Sequence, residues 1–286
     1  MSIRAYDLHL PERTDSAVIF ASPHSGRHYS DAFLRDSVLS PLALRSSEDA
    51  FVDRLFSAAP AAGAPLLCAH LPRAWIDLNR ATTELDPALI DGLPRGPHNP
   101  RVASGLGVVP RVVAGGRSIY RGKIGLDAAR SRIRTVWRPY HDQLRKLIDA
   151  AHDQFGQAIL IDCHSMPHEA LDTSVSVGRR PNVVLGDRFG AAAATGLVSR
   201  LEEIFTDLGL TCVRNAPFAG AFTAQQYGRP GRGQHVVQVE IDRALYMDEA
   251  TVTPHSGFDD FKALMDRAVE RITDLGRARD KALAAE

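Results

Sequence analysis

Hydrophobic and polar positions along this chain fall into short apolar runs that break off in polar residues, separated by stretches of helical spacing. Ala17-Val-Ile-Phe-Ala-Ser22 leads into Pro23-His24-Ser25-Gly26, and Ala158-Ile-Leu-Ile-Asp-Cys-His-Ser165 repeats the form. Runs that are apolar on both faces predict buried strands of an open α/β sheet, whose ligands gather beyond the carboxyl ends of the strands. Asp162 and His164, two residues apart, then project to the same side. A third run, Pro65-Leu-Leu-Cys-Ala-His70, precedes Arg73-Ala-Trp-Ile-Asp-Leu-Asn-Arg80, which again turns polar at its end. His235-Val-Val-Gln-Val-Glu-Ile241 alternates and predicts a further strand, with shorter candidates at Val175-Ser-Val-Gly, 183–186 and 211–214.

Helical spacing marks 46–56, with Phe51, Leu55 and Ala58-Ala59 on one stripe and Ser46 or Ser47 as N-cap. That places Glu48 and Asp49 in a first helical turn. Residues 31–40 read as loop with a short helical turn. A long amphipathic helix is expected over 125–155, where Pro139 predicts a kink or a break. Further helices are expected over 189–208, stopped by Gly209, and over 256–285. Residues 217–233 read as loop, and 1–16 as an edge strand or loose arm. The stretch 81–119 is rich in Gly and Pro and lacks sustained periodicity. A loop of that length is functional or mobile, which makes it a candidate lid or substrate loop.

Composition narrows the partners. A chain of 286 residues suffices for one large α/β domain. Lys+Arg and Asp+Glu both number 34, so nothing in the net charge attracts nucleic acid or an anionic membrane. Cys68, Cys163 and Cys212 cannot all pair and sit in or beside apolar runs, as free thiols do in the cytoplasm. The N-terminus has no signal-peptide pattern, and no apolar run approaches the roughly 20 residues of a membrane span.

Five polar clusters could carry chemistry: His24; Glu48 with Asp49; Asn79 with Arg80; Asp162 with His164; and Glu240. Two histidines and a carboxylate can hold zinc with an open position, and a free carboxylate can take the proton of water. Arginine can hold a substrate carboxylate or a developing oxyanion. Each cluster has a plainer reading. His24 can be a turn histidine, Glu48 and Asp49 can serve a helix N-terminus, Arg80 can be a structural ion pair, and Asp162 can orient His164 rather than bind a metal. Glu240 stands out as a charge in a run of Val and Ile, with exposure at a sheet edge as its alternative. Ser25 and Ser165 lack the G-x-S-x-G elbow, and Cys163 faces away from its neighbour His164 on a strand.

The motifs Ser22-Pro-His-Ser-Gly26, Glu48-Asp-Ala-Phe-Val-Asp-Arg-Leu-Phe56, Asp77-Leu-Asn-Arg80, Trp137-Arg-Pro-Tyr-His141, Asp162-Cys-His-Ser165, Asn215-Ala-Pro-Phe-Ala-Gly220, Tyr227-Gly228 and Val237-Gln-Val-Glu240, in this order from about residue 18 to 249, resemble those of the N-formylglutamate amidohydrolases. The resemblance implies a single phosphorylase/hydrolase-like, zinc-carboxypeptidase-like α/β domain, with a mixed, mostly parallel sheet flanked by helices. It is related to aspartoacylase and succinylglutamate desuccinylase. It implies Zn2+-dependent hydrolysis of N-formyl-L-glutamate to formate and glutamate in histidine breakdown, by a monomer or small homo-oligomer. The alternatives are a zinc amidase for another N-acyl amino acid or small peptide, and a silent carboxylate-binding protein of the same fold. Carried over by position, His24, Asp49 and His164 resemble metal ligands and Glu240 the general base. Asn79, Arg80 and Tyr227 resemble substrate-binding residues, and Arg73 an arginine serving the oxyanion. Carboxypeptidase relatives place the acidic ligand three residues after the first histidine, where this chain has Arg27. The acid is therefore sought at Asp49, with Glu48 beside it as the alternative.

Overall fold

The apolar runs build a seven-stranded sheet, seen in a computed structural model that describes residues 3–94, 96–174 and 180–277. Its strands are β1 (Tyr6–His9), β2 (Val18–Ser22), β3 (Leu66–Ala69), β4 (Ala158–Met166), β5 (Val183–Gly186), β6 (Cys212–Arg214) and β7 (Gln234–Asp242). They lie in the order β1-β3-β2-β4-β7-β5-β6. The pairs β1–β3 and β5–β7 are antiparallel and the other neighbours parallel, so the sheet is mixed and mostly parallel. β4 and β7 pair from Ala158↔Gln234 to Met166↔Asp242, which sets Asp162 beside Gln238 and His164 beside Glu240. β4 therefore runs past the end of its apolar run, because each of its polar positions still finds a partner on β7. Glu240 lies on a central strand and not at an edge.

Alternation sorts the two faces of the sheet. Phe20, Ile159, Ile161, Cys163, Val237, Val239 and Ile241 enter one core, while Ile19, Ala21, Ala158, Leu160 and Val236 enter the other. Asp162, His164, Gln238 and Glu240 continue the second set, so four polar groups emerge on one face.

The helices are α1 (Asp31–Asp36), α2 (Pro41–Arg45), α3 (Val52–Leu55), α4 (Pro100–Ala103), α5 (Leu126–Arg132), α6 (Arg138–Phe155), α7 (Thr195–Asp207), α8 (Phe222–Tyr227) and α9 (Phe258–Asp274). α3, α7 and α9 cover the first core, and α5, α6 and α8 the second.

Several expectations are corrected. The helix expected over 46–56 shrinks to α3, preceded by a turn that follows α2: Ser46 caps the end of α2, and Phe51 adopts a left-handed φ of 65°, which a helix cannot contain. Asp49 therefore lies in that turn and not in a first helical turn. The helix expected from 189 starts at Thr195, because Arg188, Phe189 and Gly190 all have positive φ. α8 interrupts the loop expected over 217–233. At Pro139, which has no N–H to donate, the long helix passes through a π-helical stretch, Ile133–Trp137, before α6 resumes. The strand expected at Val175-Ser-Val-Gly and the end of the 256–285 helix beyond 277 lie outside the described residues. Among the described residues no helix is long and apolar enough to cross a membrane.

Candidate active site

The site assembles where β2, β4 and β7 end. His24 sits on the turn after β2, and that turn needs Gly26, since a Cβ there would meet the Leu71 carbonyl oxygen at 2.1 Å. The backbone N–H of Asp49 donates to the His24 carbonyl at 3.0 Å, which fastens the turn between α2 and α3 against the first histidine. His164 comes from β4. One ligand atom from each of His24, Asp49 and His164 lies within 4.8 Å of the others, and all three residues are buried. Asp49 Oδ2 stands 2.9 Å from His164 Nδ1 and 3.4 Å from His24 Nδ1.

The far nitrogens of both rings meet acids. His24 Nε2 donates to Asp77 Oδ1 at 2.8 Å, and His164 Nε2 lies 3.1 Å from Asp162 Oδ2. A carboxylate behind an imidazole favours the Nε2–H tautomer, which would leave Nδ1 free to bind a cation held between the rings and Asp49. His24 Nδ1 is buried and makes no hydrogen bond among the described residues, and it faces Asp49 Oδ2. Two imidazole nitrogens and a carboxylate oxygen form a donor set that suits a divalent cation such as zinc. The electrostatics agree. Burial opposes charge on His164, yet the Asp162 carboxylate and the hydrogen bond to Asp49 hold its pKa well above the ordinary imidazole value. Asp49 is likewise held well below the usual carboxylate range, with burial opposed by the two histidines. The locus favours positive charge.

Glu48 and Asp49 differ in their partners. Glu48 accepts two hydrogen bonds from Arg45 at 3.0 Å and one from the Tyr29 hydroxyl at 3.0 Å, which ties it to the wall behind the turn. Asp49 shares its two oxygens: Oδ2 faces the imidazoles, while Oδ1 accepts from Arg243 Nη2 at 3.0 Å. Arg243 also donates to the Ser165 hydroxyl at 3.1 Å. The sequence reading passed over Arg243, although Glu240-Ile-Asp-Arg243 ends an apolar run as Asp162-Cys-His-Ser165 does. Gln238, also passed over, donates to Glu240 Oε1 at 2.8 Å while its own oxygen accepts the Ala221 N–H at 3.1 Å. Burial raises the Glu240 carboxyl to about 7, against the pull of His164.

These groups line a cavity of about 620 Å³ that also takes in Arg73, Asn79, Arg80, Arg101 and the 104–116 segment. Arg73 donates from Nε to Asp77 Oδ2 at 2.9 Å. Asn79 is engaged at both ends: its oxygen accepts the Thr223 N–H at 2.7 Å, and its nitrogen lies 3.3 Å from Asp162 Oδ2 and 3.1 Å from His164 Nε2. It braces the imidazole as well as facing the cavity. Tyr227 is the one candidate that the structure places elsewhere. Its ring packs into the core beneath α6, its hydroxyl donates to His141 Nδ1 at 2.9 Å, and it does not line the cavity. His141 in turn donates from Nε2 to the Leu78 carbonyl at 2.8 Å, so Tyr227 supports the Asp77–Arg80 segment from behind.

Fold and site together define a hydrolase of the open α/β kind, with its polar groups gathered at the carboxyl ends of parallel strands. The sequence pattern of the N-formylglutamate amidohydrolases matches residues 16–247. The N-formylglutamate deformylase of Pseudomonas putida is 30% identical over 239 residues, covering 81% of this chain and 82% of its own. That of Pseudomonas aeruginosa is 30% identical over 241 residues, with the same coverage. The N-formylglutamate amidohydrolase from Ralstonia eutropha JMP134 superposes with a TM-score of 0.89 at 33% identity, over 96% of this chain and 99% of that one. The chain belongs to the N-formylglutamate amidohydrolase family.

Proposed function

We propose that the protein is a metal-dependent amidohydrolase that cleaves N-formyl-L-glutamate to formate and L-glutamate. The observation that carries this reading is the buried Nδ1 of His24, without a hydrogen bond among the described residues and facing Asp49 and His164, with Glu240 one strand away in register with His164. His24, Asp49 and His164 would hold the cation, and the donor set favours zinc. Such a cation supplies Lewis acidity, which makes water a nucleophile at neutral pH.

The remaining work falls to the chain's own side chains. Glu240, raised toward neutrality by burial, takes the proton from the attacking water and hands it to the leaving amine nitrogen. Gln238 engages Oε1 of Glu240 and leaves Oε2 for that transfer. Arg73 reaches Asp77 through Nε, and its terminal nitrogens serve the developing oxyanion. Arg80 holds a substrate carboxylate, supplying the orientation that makes attack effectively intramolecular. Asn79 acts chiefly by bracing His164. The three unpaired cysteines support a reducing, cytoplasmic setting.

A second substrate reading, another N-acyl amino acid, is compatible with the size of the cavity, about 620 Å³, which has room for a larger acyl group beside the amino acid. Formate release from N-formyl-L-glutamate, compared with amine release from N-acetyl and N-succinyl analogues before and after chelation, tests both. Turnover of the formyl substrate that is lost to chelator and restored by zinc is expected. Turnover unaffected by thorough metal removal, or confined to the larger acyl groups, overturns the proposal.

A further inference from the structure

Two arginines in the cavity, Arg80 and Arg101, form no ion pair among the described residues. Arg80 is buried, at 7% exposure, yet its Nε donates to the Leu106 carbonyl at 3.1 Å and its Nη1 to the Asn79 carbonyl at 2.8 Å. Neither partner is charged, and Arg80 forms no ion pair among the described residues. A buried guanidinium without a counter-ion calls for an anion from outside. Arg101, on α4, lines the same cavity, is exposed, and its side chain makes no hydrogen bond or ion pair among the described residues. Burial and the like charges of Arg73 and Arg101 depress the pKa of Arg80, opposed by Asp77 and Glu84. Arg101 is therefore near enough to be felt.

The segment that carries Arg101 is pinned. The Leu106 N–H donates to the Arg101 carbonyl at 2.8 Å, and the Leu106 carbonyl receives Arg80 Nε. The Val108 N–H donates to the Glu84 carbonyl at 2.8 Å, and the Val108 carbonyl accepts the Asp77 N–H at 2.8 Å. Gly107 permits this approach, because a Cβ there would meet the Glu84 oxygen at 2.4 Å. The backbone that carries Arg101 is thus anchored to the Asp77–Arg80 segment.

Depth assigns the two charges. Arg80 lies deep, beside Asn79 and the imidazoles, where the carboxylate nearest the scissile amide must rest. Arg101 lies at the rim, where a group at the end of a side chain arrives. We infer that Arg101 reads the side-chain carboxylate of an N-acyl dicarboxylic amino acid while Arg80 holds its α-carboxylate, so that Arg101 determines selectivity for glutamate over its neutral amide. This inference rests on the amidohydrolase reading above.

The test compares kcat/KM of the metal-loaded enzyme on N-formylglutamate and N-formylglutamine, for the wild type, R101Q and R101E. The position is exposed, so neither variant threatens the core. The wild type should prefer the glutamate substrate. R101Q should lose about 10- to 100-fold on it, the worth of one charge-assisted contact, with the loss appearing in KM. R101E should reverse the preference. An unchanged preference in R101Q, a loss confined to kcat, or a wild type that treats the two substrates alike overturns the Arg101 assignment and leaves the amidohydrolase reading standing. A wild type that releases formate from neither substrate overturns that reading, and this one with it.

Discussion

Replacing Asp162 with Asn isolates the contribution of the carboxylates behind the imidazoles. Asp162 is fully buried, its Oδ2 lies 3.1 Å from His164 Nε2, and it receives the Asn79 amide at 3.3 Å. Asparagine keeps the shape and one acceptor oxygen, so the ring stays oriented while the negative charge is lost. Removing such a partner costs about 10- to 100-fold in metal affinity, or about 1.4–2.7 kcal/mol. The same carboxylate also favours a proton on His164, so the competing proton weakens with the metal. The expected loss is therefore near the lower bound, about tenfold at neutral pH. The effect on folding is separate and small: Asp162 Oδ1 is already buried without a partner among the described residues, so an NH2 group in that corner exchanges one unsatisfied group for another. Zinc affinity by competition with a chromophoric chelator, alongside urea unfolding of the metal-free protein, separates the two effects. Unchanged zinc affinity in D162N refutes the role given to the carboxylate behind the ring.

Further predictions concern the other parts of the site. E240Q should reduce turnover by at least about 10²-fold with zinc still bound, as metal analysis of the variant will show. Burial raises Glu240 to about 7 and the base form prevails only above its pKa, so kcat/KM should rise with pH through the neutral range. A bound cation beside it moves that midpoint down and never up, and a rate that falls over this range contradicts the assignment. Y227F should lose about 1 kcal/mol of stability through the His141 hydrogen bond while KM stays near wild type, measurable by denaturant unfolding and steady-state kinetics. G26A should displace the His24 turn from the Leu71 carbonyl and weaken zinc binding more than Y227F does, as read by the same chelator competition.

The strands were legible in the sequence because burial on both faces writes continuous apolar runs, and alternation along β4 placed Asp162 and His164 on one side; that Glu240 shares that face is set by the β4–β7 register. The turn of Asp49 was not legible. Ser46 and the spacing of Phe51 and Leu55 suit a helix, and what breaks it is the left-handed Phe51 together with the grip of Arg45 and Tyr29 on Glu48. Arg243 escaped notice because its partner, Asp49, is a contact across most of the chain with no local pattern to announce it. Tyr227 reads as a site residue from its motif alone, whereas α8 turns it into the core. The 81–119 stretch read as a candidate lid, yet its 106–108 segment is bonded to the Asp77–Arg80 segment by main-chain and guanidinium contacts that depend on tertiary approach.

The pairing of the two longest strands has a consequence for how the chain reaches its native state. Sliding β4 or β7 by a single residue would swing its polar pair, Asp162 and His164 or Gln238 and Glu240, into the layer filled by Ile161, Val239 and the apolar helices above them. Misaligned chains would carry buried charge without counterparts and would be rejected during folding. The groups assembled for chemistry thereby also act as alignment marks, and a variant that replaces all four with apolar residues should be more prone to shifted pairing.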